Sequence, residues 1–306
     1  MNRRLEIQLG ARAVGYRGTS ATRVFGILGQ PVRHSLSPRF QSAAFAASAL
    51  DAVYLRFEVA AAELQRSVER MREQAASGPL AGINVTLPHK HAIVGLVDAL
   101  DEEARLTGAV NTIRFEPTAS GTPLLRGFNT DVHGLLAALD EHAVTMSGAV
   151  VVIVGAGGAA RAAVAGALHS GAAAVRVLNR APVRAQEMLD AVVAVWRGAL
   201  PALSCAPLDA APRALRDAAV LIQTTPVGMQ PDDPLPVLLS APPAALFVLD
   251  TLYAPPQTAL LRRARSAGLR CSNGLDMLLH QGAASFGLWT GIDPPLEAMR
   301  RSLGLA

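Results

Sequence analysis

Residues 149–160 constrain the fold of this chain more than any other stretch. Ala149–Val154 is a continuous apolar run with the length and content of a strand buried on both faces. It leads directly into Gly155-Ala156-Gly157-Gly158-Ala159-Ala160, and an Ala-rich helical stretch follows to Ser170-Gly171. Strand, glycine turn and helix in this order form the corner on which a dinucleotide rests its phosphates. The first glycine permits the tight turn, the second lets a pyrophosphate approach the backbone, and a small residue at 160 lets helix and strand pack closely. The helix start then offers free N–H groups and a positive dipole end. Gly155, Ala156, Gly157, Gly158 and Ala159 are therefore candidate cofactor contacts.

The end of the next strand, Ala174–Leu178, selects the cofactor. An NAD site places Asp or Glu about 20 residues past the glycines, on the ribose 2′-OH. Here Asn179-Arg180 stands in that place, with Arg184 close behind. A carboxylate would repel a 2′-phosphate, whereas guanidinium groups bind one well. The expected cofactor is NADP rather than NAD. The alternative is a solvated basic loop, since arginine is common in this chain.

The rest of the chain alternates between strand, loop and helix. Val24–Leu28, Val53–Val59 and Gly82–Leu87 are predicted strands; Arg39–Leu50 and Ala61–Ala76 are predicted helices, with Ser37 as N-cap and Pro38 in the first turn. Ala219–Gln223 and Leu246–Asp250 are later strands, and the tail from Gly274 is mainly helical. That pattern implies a mostly parallel α/β architecture. With 306 residues and roughly 150 per domain, two domains are expected. A hydrophobic content of 51% suffices for two cores, built from aliphatic residues because aromatics make up only 4%. Residues 1–23 carry five arginines and no apolar block; they faintly resemble a transit peptide but read better as a loose extension. No apolar run spans a membrane. The net charge of +4 is scattered, not clustered with aromatics, which argues against a nucleic-acid surface. Cys205 and Cys271 make neither a disulfide framework nor a metal site, and they fit a reducing cytoplasm.

Several segments, taken together and in order, resemble the shikimate dehydrogenase family. They are Ser35-Leu36-Ser37-Pro38, Asn84-Val85-Thr86-Leu87-Pro88-His89-Lys90, Gly108-Ala109-Val110-Asn111-Thr112, Asn129-Thr130-Asp131, the Gly155–Arg161 turn, Asn179-Arg180, Thr224 to Met229, Tyr253, and Gly274 to Gln281. The resemblance implies reversible hydride transfer between 3-dehydroshikimate and shikimate with NADP(H), in aromatic amino-acid (chorismate) biosynthesis. It implies an N-terminal α/β substrate domain (24–131 plus 275–306) and a Rossmann-type NADP domain (132–274), with a C-terminal helical return to the first. Ser35 and Ser37 resemble the pair that holds the substrate carboxylate, although either hydroxyl would also serve as a helix cap. Asn84, Thr86 and Asn111 resemble residues that bind the ring hydroxyls. Tyr253 and Gln281 resemble further substrate contacts; alone they would read as a packed aromatic and a solvated helix residue. Thr251, in the Asp250–Tyr253 stretch, and Gly274 resemble the edge of the nicotinamide pocket. No metal is implied. The partners expected are the small-molecule substrate alone, with no nucleic acid or membrane, and a chain that is a monomer or homodimer.

By the same resemblance Lys90 and Asp131 are the acid/base pair. Composition adds an independent argument. Of 28 basic side chains, Lys90 is the one lysine, and it falls in the Asn-Val-Thr segment. An amine can exchange a proton when desolvated, whereas guanidinium stays charged. The family pattern is not met everywhere. Ala181 follows Asn-Arg where Thr is frequent, Gln223 replaces a usual Asn, Asp276 replaces a common Gly, and Val132-His133 follows Asp131 where Gly is frequent. Two other readings stand beside the first: a quinate/shikimate dehydrogenase with relaxed substrate or NAD use, and a non-catalytic metabolite sensor. Retention of Lys90 and Asp131 argues against the sensor.

Overall fold

The computed structural model describes residues 3–230 and 232–305. The chain divides into two compact units, Met1–Thr130 with Gln281–Ala306, and Asp131–His280.

The first unit runs through β1 (Arg3–Gln8), β2 (Ala13–Gly18), β3 (Arg23–Gly29), α1 (Ser37–Ala47), β4 (Ala52–Glu58), α2 (Leu64–Ser77), β5 (Leu80–Val85), β6 (Ala99–Leu100), α3 (Glu102–Thr107), β7 (Thr112–Glu116) and β8 (Leu124–Phe128). Six strands form one sheet in the order β4-β3-β5-β7-β8-β6. β3 is parallel to β4 and β5, but β7 is antiparallel to both β5 and β8. With β6 parallel to β8, five of the six strands run the same way, so the sheet is mostly parallel and β7 alone is reversed. The cause is the short 117–123 loop, which joins β7 and β8 as a hairpin; only a parallel pair needs a helical crossover. Within β3, Val24 and Leu28 enter the main core, while Phe25 packs on Phe45 at 4.9 Å.

Residues 3–22 are not a loose extension. β1 and β2 pair antiparallel from Arg3↔Gly18 to Gln8↔Ala13, and Ile7, Leu9 and Tyr16 join the main core. The Arg70 guanidinium, from α2, donates to the Gly10 carbonyl at 2.6 Å. The signal was a period-two alternation, Leu5-Ile7-Leu9 and Val14-Tyr16, whose outward positions include Arg4 and Arg17. Alternation of this kind buries one face without an apolar block.

The second unit contains α4 (Asp131–Glu141), β9 (Val150–Val154), α5 (Gly158–His169), β10 (Ala174–Leu178), α6 (Pro182–Val195), β11 (Ala202–Ala206), α7 (Ala211–Ala214), β12 (Val220–Gln223), β13 (Phe247–Asp250), α8 (Ala259–Ser266) and β14 (Arg270–Ser272). All six strands are parallel, in the order β11-β10-β9-β12-β13-β14. Counted from β9 this is 3-2-1-4-5-6, the doubly wound order of dinucleotide-binding sheets. Val151 to Val154 are fully buried, as a central strand covered on both faces requires. The order reverses between β9 and β12, and ligands of such sheets bind beyond the strand ends at that point.

Two helices close the chain, α9 (Leu275–Thr290) and α10 (Leu296–Leu303). The unit boundary falls inside α9, after His280, rather than at 274/275, because the helix continues through it with no loop. The later part of α9 is fastened into the first unit. The Trp289 indole N–H donates to the Ile113 carbonyl at 2.9 Å, its ring lies 5.2 Å from Phe25, and Gln41 donates to the Gly282 carbonyl at 2.8 Å. Among the described residues no helix is long and apolar enough to cross a membrane, and no His, Cys, Asp or Glu cluster could hold a metal.

Candidate active site

In the first unit the ends of β5, β7 and β8 bring amides and hydroxyls together. Asn84 ends one short apolar run and is buried. Its Nδ2 donates among the Asn111 carbonyl (3.1 Å), Thr112 Oγ1 (3.0 Å) and Ser285 Oγ (3.0 Å), and its Oδ1 accepts from the Tyr54 hydroxyl at 2.6 Å. Asn111 is also buried. Its Oδ1 accepts from the Thr130 N–H at 2.9 Å and the Thr112 hydroxyl at 3.0 Å, and its Nδ2 donates to Thr130 Oγ1 at 3.0 Å. Buried polar atoms left unpaired cost about 1–3 kcal/mol each, so a cluster of this size persists because its members satisfy one another.

The 86–90 loop leaves β5 beside this cluster. The His89 ring is buried and bonds the Val59 carbonyl at 2.7 Å, and the Lys90 carbonyl accepts from the Val110 N–H at 2.8 Å. Thr86 and Lys90 themselves are half-buried. On the other loop, Ser37 is the first residue of α1 rather than its cap. The cap position is Leu36, whose side chain has nothing to offer the backbone, and the Ser35 hydroxyl accepts from the Ser37 N–H at 3.2 Å instead. The capping role thus falls to Ser35. Arg56 holds this loop by donating to the Ser35 carbonyl at 2.8 Å.

In the second unit the glycine turn opens a cavity of about 540 Å³, lined by Gly155, Ala156, Gly157, Asn179, Arg180, Arg184 and the 224–227 turn among others. Gly155 has φ +116°, and a Cβ there would come 2.5 Å from Thr224 Oγ1. At Gly157 a Cβ would meet nothing within 4 Å, so the missing side chain leaves open space at the start of α5. The first intrahelical bond of α5 runs from the Arg161 N–H to the Gly157 carbonyl at 3.0 Å. The N–H groups of Gly158, Ala159 and Ala160 thus have no carbonyl ahead of them in the helix. Asn179 is steadied by donating to the Ala181 carbonyl at 2.9 Å. Arg180 and Arg184 are exposed, and neither forms an ion pair among the described residues. Open backbone, free helix N–H groups and two available guanidiniums fit a pyrophosphate with a further phosphate on the ribose.

Thr251 and Gly274 meet away from that cavity's lining, at the end of β13. A Cβ on Gly274 would collide with the Thr251 carbonyl, so only glycine fits there. Tyr253 is half-buried, and burial pushes its phenol pKa up. Asp250 anchors the loop that carries Thr251 and Tyr253: its carboxylate accepts from the Thr258 hydroxyl at 2.6 Å and the Leu252 N–H at 3.1 Å. Burial pushes its pKa up to about 6, opposed by those two bonds. A raised acid favours the folded state while protonated. Its contribution is complete below the ordinary carboxylate range near 4 and is lost as pH rises through about 6. At roughly 1.4 kcal/mol per pKa unit, the loss is about 2–3 kcal/mol. The difference in urea-unfolding free energy between the parent and Asp250→Asn should therefore move against the parent by that amount between pH 4 and 7. A difference that stays flat would remove the assigned titration.

Three of the departures from the family pattern have a visible local role. Gln223 is fully buried and braces the 224–227 turn, donating to the Thr225 and Val227 carbonyls (3.0 and 2.9 Å) and accepting from the Thr225 N–H (3.0 Å). Asp276 is paired with His142 at 3.2 Å, and His280 with Glu141 at 2.6 Å, which ties the first turns of α9 to the end of α4. Val132 is a core residue of α4.

Known proteins share both the sequence pattern and the architecture. The shikimate dehydrogenase substrate binding domain matches residues 27–113, and the shikimate 5′-dehydrogenase C-terminal domain matches residues 274–303. Shikimate dehydrogenase (NADP(+)) of Halobacterium salinarum is 44% identical over 92% of this chain and 98% of its own length. The chain belongs to the shikimate dehydrogenase family. Among solved structures, shikimate 5-dehydrogenase of Thermus thermophilus in complex with NADP(H) and shikimate has a TM-score of 0.77 at 33% identity, covering 92% of this chain and 98% of that one. Quinate dehydrogenase of Corynebacterium glutamicum in complex with NAD has a TM-score of 0.83 at 26% identity, covering 93% and 99%.

Within this shikimate dehydrogenase fold, Asn84 and Asn111 touch each other, with Thr86 and Lys90 on the adjoining loop. The cofactor candidates Gly155, Ala156, Gly157, Asn179, Arg180 and Arg184 line a single cavity, at whose turn Gly158 and Ala159 begin α5. Asp131 is buried at the first position of α4, and Gln281 lies mid-way along α9, its carbonyl accepting from Ser285 Oγ at 3.0 Å. Sequence reasoning missed Tyr54, Thr112, Thr130 and Ser285. The two threonines stand inside the quoted Asn-Thr segments and could have been read as partners of Asn111. Nothing near Tyr54 or Ser285 in the chain distinguishes them from packed strand and helix residues.

Proposed function

We propose that this chain catalyses the reversible, NADP-dependent interconversion of 3-dehydroshikimate and shikimate, a step of aromatic amino-acid biosynthesis. The observation that carries the reading is the buried amide–hydroxyl cluster around Asn84 and Asn111, next to the loop bearing the chain's one lysine. A polar, internally ordered cluster of this kind suits a small polyol acid and not an apolar ligand. Ser35 and Ser37 receive the carboxylate; Asn84, Thr86 and Asn111 receive the ring hydroxyls; Tyr253 and Gln281 complete the substrate contacts. When bound, NADPH supplies the hydride. Lys90 and Asp131 handle the proton at the reacting oxygen, giving one when the ketone is reduced and taking one when the alcohol is oxidised.

Gly155 to Ala159 seat the pyrophosphate, Asn179, Arg180 and Arg184 the 2′-phosphate, and Thr251 with Gly274 border the nicotinamide. Among the described residues, the unpaired state of Arg180 and the lack of an acidic residue in that cavity's lining support NADP over NAD. Replacing Arg180 with a neutral residue should raise the KM for NADP about tenfold or more, because a charge-assisted phosphate contact is worth roughly 1.5–3 kcal/mol. The KM for NAD should rise far less; equal effects would overturn the assignment. The scattered basic residues support a chain without a nucleic-acid partner, and Cys205 and Cys271, outside any disulfide framework, support a cytoplasmic location. Quinate is the rival substrate, and steady-state kinetics with shikimate and quinate, each with NADP and NAD, separates the two. Greater kcat/KM for quinate with NAD would replace the first reading with the second, and inactivity with all four pairs would favour a metabolite sensor.

A further inference from the structure

We propose that Tyr54 is a positioning residue that orients Asn84 for the substrate hydroxyl it receives. The inference rests on the shikimate reading above. Tyr54 sits on β4, where no other site residue lies, and is buried at 6% exposure. Its ring packs 6.3 Å from Trp289, which fixes the phenol in place, and its hydroxyl ends 2.6 Å from Asn84 Oδ1.

The hydrogen-bond directions settle how Asn84 stands. The Asn111 carbonyl can only accept, so the Asn84 atom facing it at 3.1 Å is the NH2 group. Ser285 Oγ donates to the Gln281 carbonyl at 3.0 Å, which leaves its lone pairs to accept from the same NH2 at 3.0 Å. Oδ1 therefore faces the phenol and must accept. Because the NH2 hydrogens are shared among fixed protein acceptors, what remains for a ligand is the second lone pair of Oδ1. Asn84 thus acts as an acceptor for a substrate hydroxyl, and the phenol donor holds that lone pair in direction. Ser37 and Arg56 also face the phenol, and both oppose the upward shift of its pKa that burial causes. The hydroxyl stays protonated and remains a donor.

A phenol that only filled space would act independently of Asn84, whereas a positioning residue acts through it. The test is a double-mutant cycle on shikimate oxidation with Tyr54→Phe and Asn84→Ala, read as KM, kcat and the KM for NADP, with urea unfolding of each variant. Tyr54→Phe should raise the KM for shikimate about tenfold in the parent and less than about twofold in Asn84→Ala, with the KM for NADP unmoved. Ser285→Ala removes an acceptor from the same amide and should give the same pattern with a smaller effect, so it carries the cycle if Tyr54→Phe does not fold. Equal effects in both Asn84 backgrounds would overturn the proposal. A parent protein that neither turns over nor binds shikimate in calorimetry would instead overturn the substrate assignment, and that result is read before any variant is made.

Discussion

Lys90→Arg lowers kcat by about 10²-fold or more, the scale of general acid–base catalysis, and leaves the KM for NADP within about twofold. Arginine keeps the positive charge and much of the reach but cannot exchange a proton near neutral pH. The loop itself should survive the change, because its backbone is held by the Val110 N–H on the Lys90 carbonyl and by the buried His89 ring on Val59. Neither contact uses the amine. Lys90 carries the only side-chain amine in the chain, so amine-directed labelling gives a second readout. Inactivation should track modification of Lys90, and saturating shikimate should slow both. Nearly full activity in Lys90→Arg would reduce the residue to a charge that holds substrate, leaving Asp131 or water to move the proton.

Much of this molecule was legible because several segments announce their own geometry. β9, β10 and β12 appear within a residue of the runs that predict them, and for β9, covered on both faces, no polar position blurs the ends. The glycine turn was legible for the same reason: φ > 0 at Gly155 and open space at Gly157 are requirements that few other residues meet. Non-local pairing was not legible. The β1–β2 hairpin is specified by where Ile7, Leu9 and Tyr16 find a core, and the antiparallel β7 by which strand it meets. The polar cluster has the same character. Tyr54, Asn84 and Ser285 are up to 231 residues apart in sequence, and only the assembled sheet with the returning α9 makes them neighbours.

Gly155→Ala should destabilise the second unit by about 2–6 kcal/mol and raise the KM for NADP at least tenfold. Two costs combine. A non-glycine residue at φ +116° carries roughly 1–3 kcal/mol of backbone strain. The new Cβ would also stand 2.5 Å from Thr224 Oγ1 and 3.0 Å from Thr225 Cγ2, and overpacking of that kind costs about 1–3 kcal/mol more. Thr224 cannot swing aside freely, because its hydroxyl donates to the Val154 carbonyl at 2.6 Å. Adding Thr224→Ala to Gly155→Ala should therefore relieve the overlap and leave the backbone strain, recovering about half of the lost stability in urea unfolding. Gly157→Ala, two residues on, should behave in the opposite way. Its backbone is extended, with φ −93°, and its Cβ would project into empty space, so stability should hardly change. The KM for NADP should still rise, because that space is where the phosphates approach the start of α5. If Gly155→Ala matched the parent in both stability and KM, the turn would not be seating the cofactor in the way its geometry requires. If Gly157→Ala lost stability but not NADP, the open space would belong to folding rather than to binding.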